Sequence, residues 1–225
     1  MITSLLTTMS IFLKNTFRMH NQPQNSLEQY IKEFEKIKKI TEKQWAKHEP
    51  DPSLIKYQFP KGTKWVGGIS DEDIKKFEAE LGFTFPDIYK AYLKVLNGVD
   101  KKAINTYGDP VKYPPSEAYV LYSYPRDINI FKGSIAEMYA AYEVTEKFIQ
   151  ENNIPHIIPI YLHRYLIADK SPSNLILSMW GTDTIFYCSD LISLMYTDII
   201  DISLKVPIFV NDTEDFDYDN FFWVK

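Results

Sequence analysis

The 225-residue chain has a single cysteine, only eight glycines and fewer cations than anions. With one thiol, Cys188, there can be neither an intramolecular disulfide nor a multi-cysteine zinc site, and a reducing, cytoplasmic location is expected. Eight glycines leave little room for phosphate-cradling loops, and neither G-x-G-x-x-G nor G-x-S-x-G occurs. Gly62 and Gly67 have P-loop spacing, but Gly68-Ile69 follow where Lys and Ser or Thr are required. His48-Glu49 opens like a zinc-protease helix, yet Pro50 and Pro52 forbid the helix. The balance of 25 Lys and Arg against 30 Asp and Glu gives a net charge of −5, which argues against general nucleic-acid binding and suits an acidic partner for something basic.

The first thirteen residues are apolar and Ser/Thr-rich, too short to span a bilayer, and Lys14 and Arg18 follow them rather than lead, the reverse of a secretory signal. A flexible segment over residues 1–24, with Met19 as an alternative initiator, is expected ahead of one folded unit over 25–225.

What the chain has in quantity is apolar and aromatic side chains: 45% hydrophobic residues, with 16 Tyr, 14 Phe and 4 Trp, enough for a substantial core. Ser26 with Gln29 forms a capping-box pattern ahead of Leu27, Tyr30, Ile31, Phe34 and Ile37 at helical spacing, predicting a helix over about 26–46. Its lysines alternate with glutamates, which describes a solvated face. The proline-rich stretch after it reads as an irregular connection. Ser70 and Asp73 cap a short helix that ends at Gly82; Pro86-Asp87 opens another that stops at Asn97-Gly98. Short strands are expected up to Arg126, and a capped helix from Ser134 to about Asn152. Four extended runs follow, IIPIYL, RYLIAD, NLILSMW and DTIFYC, spaced as antiparallel neighbours. A last helix over about 189–203 has an apolar stripe broken only by Asp198.

Trp65, Gly68, Ile69-Ser70-Asp71-Glu72, Leu81-Gly82, Pro86-Asp87, Tyr89 and Asn97-Gly98 together resemble the opening of the SMI1/KNR4 family of the SUKH superfamily. The second half extends the likeness through Pro159 to Tyr165, Leu175 to Ser178, Thr182 to Tyr187 and Asp190-Leu191, so that it covers about 65–200. Phe85, Leu175 and Cys188 depart from the family pattern. The resemblance implies an α+β fold, a mainly antiparallel sheet flanked by helices. It also implies a non-catalytic binding module, of the immunity type that neutralises a cognate bacterial toxin, often a nuclease, by direct contact. Relatives in fungi suggest the alternative of a regulatory or scaffold protein in cell-wall or signalling processes.

No catalytic residue, metal ligand or cofactor site is assigned. His163 and Cys188 on neighbouring extended runs are a conceivable nucleophile pair, but a lone thiol more often packs as a small apolar group. Arg164 lies in an apolar run and needs a partner if buried; Asp183 is the candidate through the family-like hairpin. Asp212, Glu214, Asp215, Asp217 and Asp219, interleaved with Phe216, Tyr218, Phe221, Phe222 and Trp223, form an acidic and aromatic strip suited to a basic partner, the plain alternative being a solvated tail. Trp65, Arg164, Asp183, the five carboxylates of that strip and Trp223 make up the expected partner-binding set.

Overall fold

A computed structural model of the chain describes residues 26–51, 56–106, 116–169 and 174–200. The flexible segment expected over 1–24 and the strip from Asp212 to Trp223 lie outside the described residues.

Helix α1, Leu27–Trp45, starts with the capping box read from the sequence: the Ser26 amide donates to Gln29 Oε1 at 2.7 Å and the Gln29 amide to Ser26 Oγ at 3.4 Å. Its buried side, Phe34, Ile37, Thr41 and Trp45, faces inward. Helix α2, Asp71–Leu81, is capped by Ser70, whose Oγ accepts from the Asp73 amide at 3.1 Å, and it ends at Gly82 with φ +85°. Helix α3, Asp87–Val95, follows Pro86, which stands at the N-cap itself. Phe34 of α1 meets Tyr92 of α3 edge to face at 5.9 Å. Phe77 of α2 stacks on Tyr124 at 4.3 Å and meets Phe85 and Phe131 at 4.9 Å, so the sequence's aromatics form the inner wall of the core.

Two antiparallel sheets replace the one that the patterning suggested. The smaller is β1-β2-β3, Lys56–Gln58, Ala103–Thr106 and Ser116–Ala118. Strand β1 falls inside the stretch read as irregular; it pairs with β2, Tyr57 opposite Asn105, through a contact between distant parts of the chain that no local pattern announces. The larger sheet is the expected meander β4-β5-β6-β7: Ile157–Tyr161, Arg164–Ile167, Ile176–Trp180 and Asp183–Cys188. One of its faces carries Ile158, Ile160, Leu166 and Ile176 into the main core, which also holds residues from α1, α2 and α3. The other face carries Ile157, Tyr165, Ile167, Leu177 and Met179 into a second cluster.

That second cluster is covered by a helix whose start was misplaced in sequence. Helix α4 runs Ile128–Ala141, beginning six residues before Ser134, because Asp127 accepts the Ser123 amide at 2.8 Å and pairs with Arg126 at 2.7 Å, fixing the entry to the helix upstream. Its expected continuation breaks at Glu143, φ +55°, and a separate helix α5, Glu146–Glu151, restarts under a Thr145 cap. The final helix is likewise split. Helix α6, Leu191–Leu194, passes into a π turn over Met195–Ile199, closed by the Ile200 amide donating to the Met195 carbonyl at 3.0 Å. No helix among the described residues is long and apolar enough to cross a membrane.

Candidate functional site

The first face of the larger sheet changes character along its length. Register places Leu166, Ile176 and Cys188 side by side at the covered end and Arg164, Ser178 and Ile185 side by side further out. One more step along β6 brings Trp180, opposite Asp183. Alternation along a strand puts Ile176, Ser178 and Trp180 on one face, so the same row runs from the core into solvent. Ile176 is fully buried, whereas Trp180 is 75% exposed and Ile185 58%. These two are diagonal cross-strand neighbours, close enough for an aromatic ring to reach. His163, in the β4–β5 turn, meets the Trp180 ring edge to face at 5.6 Å, and its carbonyl accepts the Met179 amide at 2.9 Å.

Beside this apolar pair lies a half-buried polar cluster. The Arg164 guanidinium stacks 3.6 Å over the Tyr187 ring, donates from Nη1 to Ser178 Oγ at 2.7 Å, and approaches Asp198 Oδ2 with Nε at 3.6 Å. Tyr187 Oη donates to Asp198 Oδ1 at 2.6 Å. The π turn carries the Asp198 carboxylate to this cluster: the residue that interrupted the apolar stripe is the counter-charge of Arg164. Asp183 is therefore not its partner; it sits at the exposed tip of β7. Burial raises the Asp198 carboxyl above its ordinary value against the opposing pull of Tyr187 and Arg164. Burial, with Arg164 beside it, lowers the pKa of His163, favouring its neutral form. Between this cluster, the end of α1 and β1 is a cavity of about 360 Å³, bordered by Trp45, His48, Tyr57, Tyr161 and Asp198.

Trp65 is placed otherwise than expected. It is 4% exposed, its Nε1 donates to Thr41 Oγ1 at 2.8 Å, and Trp45 lies 5.3 Å away, so it holds α1 to the core and offers no surface to a partner. Cys188 and His163 lie at opposite ends of the sheet, on the order of 10 Å apart by strand rise. Burial pushes the Cys188 thiol up to about 12, which keeps it protonated near neutrality. His156 is committed elsewhere: its Nδ1 lies 2.8 Å from Asp169 Oδ2 and its ring stacks on Phe83 at 4.5 Å. Among the described residues no three His, Cys, Asp or Glu side chains converge as metal ligands.

Trp180, Ile185 and the role of Asp198 were missed in sequence. The signal for the first two was parity alone, since both fall on the outward continuation of a face that is buried elsewhere; for Asp198 it was the break in an apolar stripe.

The model of the SMI1 / KNR4 family (SUKH-1) matches residues 68–197, from the close-packed Gly68 into the π turn. No curated protein and no solved structure matches the chain.

Proposed function

The chain belongs to the SMI1/KNR4 family (SUKH-1), and on that basis we propose that it is an immunity-type binding protein that neutralises a cognate bacterial toxin by occluding its active site. The observation that carries this reading is the exposed Trp180 and Ile185 pair, built on the four-stranded sheet beside a half-buried Arg-Tyr-Asp cluster. Tryptophan, tyrosine and arginine are the residue types that concentrate binding energy at protein interfaces, and adjoining exposed apolar side chains mark interaction sites more than scattered ones do. The net charge of −5 favours a basic target such as a nuclease cleft, through steering of the encounter.

Co-expression with the adjacent gene tests the proposal. Protection of cells from that gene's product, together with a stable complex on purification, is the expected result. Failure to protect or to bind, with several endogenous proteins captured at modest affinity instead, would replace the immunity reading with a regulatory or scaffold role.

A further inference from the structure

Residues 174–200, which build β6, β7, α6 and the π turn, contain Asp183, Asp190 and Asp198 and not one Lys or Arg. Two of these carboxylates are used within the fold. Asp198 faces Arg164 and Tyr187, and Asp190 caps α6 by accepting the Ser193 amide at 2.7 Å. Asp183 is left at the hairpin tip, exposed, directly opposite Trp180 and on the same face as Ile185. The hairpin therefore shows solvent an apolar pair with an adjoining anion. It is also mechanically supported: Tyr142 Oη, from the far side of the sheet, donates to the Thr182 carbonyl at 3.0 Å and accepts from Thr184 Oγ1, and the Met179 amide donates to the His163 carbonyl.

We infer that this tip, Trp180, Ile185 and Asp183, is the docking surface for the target protein, and that the target presents an apolar recess for the indole rimmed by Lys or Arg facing Asp183. The inference rests on the binding role proposed above and adds the contact surface and the chemistry of the partner. Charge decides between candidate occupants. A second copy of this chain would bring another cation-free hairpin and another Asp183 against the first, so self-association sets like charges together at the centre of the contact. A basic target removes that conflict, and fits the excess of anions over the whole chain. The indole then supplies a buried anchor and Asp183 the orientation and encounter rate.

The test is a binding measurement between the full-length protein and the purified, catalytically inactivated product of the adjacent gene. Trp180→Ala and Ile185→Ala are expected to weaken the complex, the former by at least about 30-fold. Asp183→Lys is expected to slow association and flatten its dependence on salt. Phe148→Ala, at an exposed apolar position on α5, is expected to leave affinity unchanged. All of these positions are exposed, and circular dichroism checks that each variant remains folded. If the wild-type protein binds while Trp180→Ala and Ile185→Ala stay within threefold of it, the docking surface is wrong and the immunity reading survives. If the wild-type protein neither binds nor protects, both fall. If light scattering shows a dimer that Trp180→Ala dissolves, a second copy occupies the tip and the inference is overturned.

Discussion

Arg164 draws on three kinds of contact: a ring face, a hydroxyl and a carboxylate that approaches without a direct hydrogen bond to Nε. Removing the cation leaves Asp198 in a site that burial already makes unfavourable for a charge. Arg164→Met is therefore expected to cost about 3 kcal/mol at pH 7, measured by urea unfolding. The sign of its pH dependence follows from the raised carboxyl. Protonation is favoured in the folded state, so stability is greatest below the ordinary carboxylate value and falls as pH rises through the higher folded one. The variant should accordingly recover part of its loss near pH 4. His163 has the opposite history, with a folded pKa lowered from 6.5. Its contribution is complete above about pH 6.5 and is lost as pH falls through the folded value, so His163→Gln should flatten the decline of stability on the acid side. In the core, Thr41→Val would leave the buried Trp65 indole N–H without its acceptor, at a cost of about 1–3 kcal/mol by the same unfolding measurement. Trp65 was recognisable in sequence as part of a motif, but its orientation was not. A tryptophan reads the same whether it anchors a helix or a partner.

At the scale of elements, the segments with local chemical instructions fell where the patterning put them. Ser26, Ser70, Gly82 and Asn97-Gly98 each satisfy or release specific backbone groups at a helix end. Gly98 combines φ +75° with an approach in which an added Cβ would lie 2.5 Å from the Tyr122 carbonyl oxygen. Gly98→Ala is thus expected to destabilise by about 2 kcal/mol or more in thermal or urea unfolding. The same turn is held by the Asn97 side chain, which accepts the Tyr124 amide at 3.0 Å and donates to its carbonyl at 2.8 Å, tying α3 to the start of α4. Elements whose limits depend on distant contacts were misjudged. Strand β1 needs β2 to exist, and α4 begins where Asp127 is pinned rather than where Ser134 offers a cap. Ser134 has the right residue spacing for a cap, but the turn before it was already helical.

Over the whole molecule, one core joins α1, α2 and α3 to the meander, while α4 and α5 close its other face. The sheet is thus fixed from both sides and its hairpin tip projects from a rigid support. Neutralising Asp212, Glu214, Asp215, Asp217 and Asp219 to Asn or Gln would move the net charge from −5 to 0. Stopped-flow measurement at low salt should then show association with a basic target slowed by about tenfold. By itself the sequence determined the α+β class, the caps at Ser26, Ser70 and Gly82, the four-stranded meander and the family, because each is written in short-range periodicity or in residues with special backbone tolerance. Only the tertiary structure decided that Trp65 is interior, that Arg164 answers Asp198 and not Asp183, and that Trp180 and Ile185 face water. Strand alternation states which side chains share a face, but whether that face is covered depends on where helices from elsewhere in the chain come to rest.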